Sequence, residues 1–284
     1  MIKTVLKVLL AIIIYTIVFI LANVLMPFSP GFKEMGASSD PMGIIFILVN
    51  SVWVIFTLYF IIRHAGFRGR KLFFSLFGVM FFILSFMTQI ETLLFIEAFP
   101  MLIRLDAVLI MLTGLFPLSA AIALLIKFFS KADTIISDKV EIKLKNVLLK
   151  LGCIGIIYLC IYMLFGYFIA WQFEELRVFY SGSPVKLGFF QQVFSNSPGM
   201  ISFQVLRGIL FGLFIIPIRL MITKSKIAFI IGVCLVYSCT AIMLIIPNVL
   251  FPDIVRHAHF LEMISSMLLF GIIVGNFLWW TQKR

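Results

Sequence analysis

A few ionisable side chains lie within or beside the strongly apolar stretches of this sequence. Four of them are Glu91, Arg207, His259 and Glu262. Their carboxylate, guanidinium and imidazole groups can bind a charged solute or transfer a proton. Gln204 precedes Arg207 by three residues and His259 precedes Glu262 by three, so each pair shares one face of a helix. Ionisable groups are rare inside a membrane because burying them is costly, and they therefore mark functional candidates.

The composition shows why these side chains must lie in or near a membrane. Of the 284 residues, 63% are hydrophobic and only 12% are charged, and the mean hydropathy is +1.18. Soluble domains carry about 25% charged residues, and none buries so large an apolar fraction. The counts of 18 Gly, 10 Pro and 4 Cys also exclude collagen-like, disordered and disulfide-rich chains. We therefore predict an all-α, polytopic integral membrane helix bundle.

Eight apolar stretches are long enough to cross a bilayer, whose core about 30 Å thick needs about 20 residues of helix. Their hydrophobicity is continuous rather than alternating, which excludes the strands of a membrane barrel. The predicted spans are 6–26, 43–62, 72–95, 107–129, 147–171, 203–222, 227–247 and 261–280.

The distribution of charge predicts the orientation of these spans. With the N-terminus inside, 17 of the 23 Lys and Arg residues fall on the cytoplasmic side, as the positive-inside rule requires. The outer side then holds nine acidic and six basic residues. We predict a multi-pass protein of the plasma (inner) membrane with both termini cytoplasmic. The basic inner face is expected to attract anionic lipid, and no pattern indicates nucleic-acid binding.

The two halves of the chain show a weak similarity. Residues 99–116 align with 251–268 without gaps and share five identities. This predicts a parallel 4+4 repeat, although coincidence in so biased a composition is an open alternative. The predicted units are a first four-helix half at 1–129, a cytoplasmic connector at 130–146 and a second four-helix half at 147–284.

The predicted topology brings the polar residues of spans three, six and eight to the outer side of the membrane. Because spans six and eight are expected to start at 203 and 261, Arg207 and Glu262 should lie near the outer boundary. The predicted ligand-binding residues are Glu91, Arg207, His259, Glu262, Gln89, Gln204, Arg256, Arg104 and Asp106. Because a lone guanidinium is costly inside the membrane, Arg207 is expected to pair with a carboxylate of another helix, Glu91 or Glu262. An alternative to a ligand pocket is that this pair is only an interhelical clamp.

Two other patterns concern the same spans. Gly208 with Gly212 and Gly271 with Gly275 form G-x-x-x-G steps, which we interpret as helix packing within the chain rather than a dimer interface. The aromatic loop 172–202 is expected to form either an amphipathic lid over the polar residues or a surface anchor.

These observations predict a membrane protein with an outward mixed-charge pocket that binds or transports a small or lipid-like solute. One alternative is an outward-facing enzyme acting on a lipid-linked or envelope substrate through Glu and His acid–base chemistry. A non-catalytic assembly subunit is the second alternative. The sequence contains no H-E-x-x-H, Walker A, G-x-S-x-G or G-x-G-x-x-G motif, so we predict no metal and no cofactor.

Overall fold

A computed structural model describes residues 2–36, 43–94, 96–99, 102–130, 144–248 and 250–279. Its regular elements are helical throughout, and the described residues include no strand. This agrees with the predicted all-helical fold class. Most of the predicted connector, residues 131–143, and the C-terminal residues 280–284 lie outside the described ranges.

Among the described residues, the first half of the chain contributes seven α-helices and the second half six. Those of the first half are α1 (Ile2–Leu25), α2 (Pro30–Gly36), α3 (Gly43–His64), α4 (Gly69–Phe81), α5 (Met87–Leu94), α6 (Arg104–Thr113) and α7 (Leu115–Phe129). Those of the second half are α8 (Leu144–Phe168), α9 (Glu174–Ser181), α10 (Phe189–Ser195), α11 (Pro198–Met221), α12 (Lys226–Ile242) and α13 (Asp253–Phe277).

Eight helical segments among the described residues are long and apolar enough to cross a membrane. Six of them are built on α1, α3, α8, α11, α12 and α13, and the other two are the pairs α4–α5 and α6–α7. The chain is therefore a helical, multi-pass membrane protein. The number of segments that do cross, the parallel repeat, the orientation and the identity of the membrane remain predictions.

Two of the long helices start earlier than the hydropathy predicts. Helix α11 starts at Pro198 and α13 at Asp253, rather than at 203 and 261. Ser197 caps α11 by accepting a hydrogen bond from the backbone N–H of Met200 at 3.2 Å. Arg207 and Glu262 consequently both lie nine residues, about 13 Å, from the starts of their helices. They are deeper along their helices than the predicted boundaries indicated.

Two of the membrane-crossing segments are interrupted, and their interruptions pack against each other. The π-helical turn Phe82–Phe86 separates α4 from α5, and α6 ends at Thr113 before α7 begins at Leu115. At the second break a Cβ on Gly114 would lie 2.2 Å from Ser85 Oγ. A Cβ at position 114 would therefore force the Ser85 hydroxyl to move, and glycine lets the two segments approach without this change. The Thr88 hydroxyl donates to the carbonyls of Leu84 and Ser85, which the π-turn takes out of the regular α-helical pattern.

The G-x-x-x-G steps lie in contacts between helices of this chain, as the sequence predicts. A Cβ on Gly208 of α11 would lie 2.5 Å from Tyr158 Cβ and 2.8 Å from Gly155 Cα, both on α8. A Cβ on Gly271 of α13 would lie 2.9 Å from Cys234 Cα on α12. These small residues let the backbones of α8 and α11, and of α12 and α13, pack closely. The first of these contacts fixes the part of α11 that carries Arg207.

Candidate functional site

Arg207 forms an ion pair with a carboxylate from another helix. Its Nη1 lies 2.8 Å from Oε1 of Glu91 on α5. The same nitrogen donates to Oε1 of Gln204, one turn earlier on α11, at 3.1 Å. The Arg207 side chain is 5% exposed and that of Glu91 is 34% exposed. The predicted pairing of Arg207 with Glu91 or Glu262 is confirmed, with Glu91 as the partner.

Glu262 is a second buried carboxylate beside this pair. The residue is 9% exposed and lies close enough to Glu91 and Arg207 for their charges to interact. The hydroxyl of Ser266 donates to its Oε1 at a long 3.4 Å. Within the described part of the chain, no Lys, Arg or His nitrogen lies within 4.0 Å of the Glu262 carboxylate. The cluster therefore combines two carboxylates with one guanidinium.

Aromatic rings surround the charged groups. The Arg207 guanidinium carbon lies 5.7 Å from the ring centre of Tyr158 and 5.8 Å from that of Phe203. Tyr162 packs beside Tyr158, with ring centres 6.5 Å apart, and lies within electrostatic range of both carboxylates. Ring faces carry negative charge density and attract cations. The rings of Tyr158 and Phe203 therefore add to the stabilisation of the Arg207 guanidinium.

His259 connects the cluster to the short helix α9 of the loop 172–202. Its Nε2 lies 2.9 Å from the hydroxyl oxygen of Tyr180, and the Tyr180 ring stacks on Trp171. Leu176, also on α9, is fully buried with Val255 of α13. These contacts pack α9 against α13. We call α9 the lid after one of the two predictions for the loop 172–202, and that role stays a prediction.

The fold of that loop depends on Arg177. Its guanidinium donates to the carbonyls of Gln172 and Pro184 in the loop and to that of Trp171, the residue before it. These hydrogen bonds fix the path of the chain on both sides of α9. Arg177 therefore positions the lid and does not enter the cluster.

Arg256 is predicted for the site, but its contacts lie elsewhere. It is 3% exposed, and its guanidinium binds Asp253 Oδ1 at 2.5 Å and the carbonyls of Leu244 and Ile245. These carbonyls belong to the 3₁₀ turn that follows α12. Arg256 thus joins the start of α13 to the end of α12, and the structure does not bring it to the cluster.

Asp106 also has a structural position rather than a place in the cluster. Its carboxylate is fully buried and accepts hydrogen bonds from the backbone N–H and the hydroxyl of Ser29, at 2.8 and 2.6 Å. It also accepts from the N–H of Ile103 at 3.3 Å, and so caps α6. Arg104, two residues earlier, is exposed.

Gln89 lies on a different face of α5 from Glu91. It lines a small cavity of about 80 Å³ together with Tyr15, Asn23, Thr88 and other side chains of α1 and α6. Its Oε1 is buried without a hydrogen-bond partner among the described residues. A cavity of this size and polarity can hold a few water molecules.

Of the nine predicted site residues, the structure therefore brings Glu91, Gln204, Arg207 and Glu262 together, with His259 joined to the lid. We call these five residues with Tyr158, Tyr162 and Tyr180 the outer cluster, after the side of the membrane that the sequence predicts for them. The tyrosines were not predicted for the site, because aromatic residues are common in apolar helices and carry no distinguishing spacing. Only Tyr180 had a sequence signal, its place in the aromatic loop.

No protein-family model matches the chain, and neither a curated protein nor a solved structure matches it.

Proposed function

We propose that this multi-pass membrane protein binds a small solute in the outer cluster and carries it into or through the membrane. The proposal depends on one observation, the burial of Glu262 beside an ion pair that is already complete. A clamp between α5 and α11 needs only Arg207 and Glu91. A second carboxylate of the same sign weakens such a clamp, because it brings an uncompensated charge into a medium of low dielectric constant.

The interrupted helices support a carrier rather than a rigid binding protein. Carriers use discontinuous membrane helices near their binding sites, where one part of a helix can move relative to the other. Here the π-turn of α4–α5 lies directly before the segment that carries Glu91, and it packs on the break at Gly114. A change at either break would move Glu91 relative to Arg207.

The enzyme alternative has less support from the geometry. It requires His259 to exchange a proton with Glu91 or Glu262. The imidazole Nε2 instead lies beside the Tyr180 hydroxyl, and the carboxylates interact with Arg207 and Ser266. The described contacts therefore do not form the acid–base pair that this mechanism needs.

The proposal can be tested without knowing the solute. Purified protein in lipid nanodiscs is heated in the presence of four classes of small solute: amines, carboxylates, phosphates and sugars. A bound solute raises the melting temperature, since it stabilises the folded state. We expect at least one class to stabilise the wild type and to leave Glu262→Gln unchanged.

A matched control is Glu97→Gln, which makes the same chemical change at an exposed carboxylate beyond α5. It should respond to solutes as the wild type does. The proposal fails if no class of solute distinguishes the wild type from Glu262→Gln.

A further inference from the structure

The excess of carboxylates in the outer cluster indicates the charge of its ligand. Glu91 and Glu262 together can carry two negative charges, and Arg207 supplies one positive charge. Both carboxylates are on the side where the sequence predicts nine acidic and six basic residues. A ligand with one positive charge would complete the balance, whereas an anion would increase the imbalance.

The guanidinium is also poorly placed to receive an anion. Nη1 of Arg207 already contacts Glu91 and Gln204. The guanidinium carbon of the same side chain lies near the rings of Tyr158 and Phe203. Nε of Arg207 is buried without a hydrogen-bond partner among the described residues, but an anion bound there would lie near Glu91 and Glu262 and add a third negative charge to the cluster. Glu262, in contrast, has only the long contact from Ser266 and can accept a donor without breaking an ion pair.

When no cation is bound, the negative charge of Glu262 must be neutralised in another way. A buried carboxyl group without a cationic partner avoids the cost of a buried charge by holding a proton. An arriving cation provides the missing charge, so the proton can leave. Binding is then an exchange, in which the cation pairs with the Glu262 carboxylate and one proton is released to water.

We propose that the outer cluster binds an organic cation of the ammonium class in exchange for a proton from Glu262. This inference rests on the proposed function and specifies its solute. The aromatic side chains of Tyr158, Tyr162 and Tyr180 lie in the same cluster. An alkylated ammonium group loses little hydration and interacts well with aromatic surfaces.

Other titratable groups face Glu262 and must be separated from it. Those within electrostatic range on other elements are Glu91 on α5, Tyr158 and Tyr162 on α8, Tyr180 on α9 and Arg207 on α11. His259 lies one turn earlier on α13 itself. On α12, which also packs against α13, Tyr237 donates to the Phe211 carbonyl and Cys234 lies against Gly271. His259 is the principal competitor as a source of the released proton, because histidine titrates near neutral pH.

The test measures binding of tetramethylammonium chloride to the wild type in nanodiscs by titration calorimetry. The charge of this probe does not change with pH, so any pH dependence of binding comes from the protein. Titrations in two buffers of different ionisation enthalpy give the number of protons released per cation. We expect about one proton, with affinity falling about tenfold for each unit of pH on the acidic side.

Three variants identify the group that releases the proton. Glu262→Gln should lose the pH dependence and bind tetramethylammonium at least tenfold more weakly. His259→Gln should keep the proton release, and Glu97→Gln should match the wild type in every respect. Because the proton count is measured on the wild type, it does not depend on the folding of any variant.

Several results would overturn the inference. One is wild-type binding of tetramethylammonium without proton release, and another is proton release that disappears in His259→Gln but persists in Glu262→Gln. Equal stabilisation by sodium chloride would show that the site does not select an organic cation. A carboxylate, phosphate or sugar that stabilises the wild type but not Glu262→Gln would disprove the cation class while leaving the proposed function intact.

Discussion

Arg207 and Arg256 are two buried arginines with carboxylate partners, and their surroundings differ in one instructive way. Arg256 is paired with Asp253 of its own helix, and Asp253 is 76% exposed. Its other bonds go to backbone carbonyls. Arg207 is paired with Glu91 from another helix, and a second carboxylate, Glu262, lies within the range of both charges.

The comparison shows that a buried charge in a membrane protein does not by itself indicate a binding site. Around Arg256 the charges balance, because its guanidinium pairs with one carboxylate and donates hydrogen bonds to two neutral carbonyls. Around Arg207 one carboxylate remains after the pair is formed. Excess charge, rather than charge alone, is the feature that favours function at the outer cluster.

The largest effect on stability is expected from replacing Arg256. Arg256→Ala should lower the free energy of unfolding by about 2–5 kcal/mol, because it leaves the partly buried carbonyls of Leu244 and Ile245 without a donor and removes the packing of a buried side chain. The measurement is the fraction of protein that stays monodisperse after heating in detergent. Arg104→Ala, which removes an exposed arginine on the same predicted side, should change stability by less than about 0.5 kcal/mol.

If Arg256→Ala is as stable as Arg104→Ala, then the buried guanidinium of Arg256 does not hold α13 to the end of α12. The contrast between the two arginines would then have to be abandoned.

A smaller effect on stability, and of opposite sign, is expected from replacing Glu262, the carboxylate that is not paired with Arg207. Glu262→Gln should leave the ligand-free protein equally stable or raise its stability by about 1 kcal/mol, because a neutral amide replaces a group whose ionised form is costly to bury. The gain should grow as the pH rises from 6 to 9. At higher pH the unfolded wild type ionises freely, whereas the folded wild type must retain the Glu262 proton or bury a charge.

Melting temperatures of the two proteins across this pH range provide the measurement. A variant that is less stable than the wild type at every pH would mean that Glu262 belongs to a structural clamp after all.

The smallest effect on stability is expected at α9, the helix that we call the lid. Tyr180→Phe removes one hydrogen bond to His259 and should lower stability by about 1 kcal/mol. Hydrogen exchange of the α9 backbone should become faster, because the helix loses a contact with α13. Tyr167→Phe is a suitable control, since it removes a bond of the same 2.9 Å length, to the Leu187 carbonyl in the same loop.

Equal exchange of α9 in the two variants would show that the Tyr180–His259 contact does not hold the lid. The aromatic loop would then be better interpreted as a surface anchor.

The sequence predicts the membrane fold well and the outer cluster in part. Apolar length and charge asymmetry are properties of long segments, so they predict the helices and the side on which Glu91, Arg207 and Glu262 lie. The pairing of Arg207 with a carboxylate also follows from the cost of burying a lone guanidinium.

Other features depend on packing, which the sequence pattern does not contain. Nothing in the composition around Arg256 or Asp106 indicates that these two side chains form hydrogen bonds with the backbone of neighbouring segments. The starts of α11 and α13 were also placed too late, because polar residues in the first turns of these helices lower the local hydropathy.

The π-turn at Phe82–Phe86 has a consequence for how the outer cluster could have arisen. A π-turn is the trace of one residue added to an α-helix, and each residue of an α-helix turns the chain by about 100°. Deleting a single residue from this turn would leave a continuous apolar helix of nearly the same length. Glu91, however, would rotate away from Arg207 by about a quarter of a turn. A one-residue insertion in an ancestral helix is therefore enough to create the meeting of these two side chains.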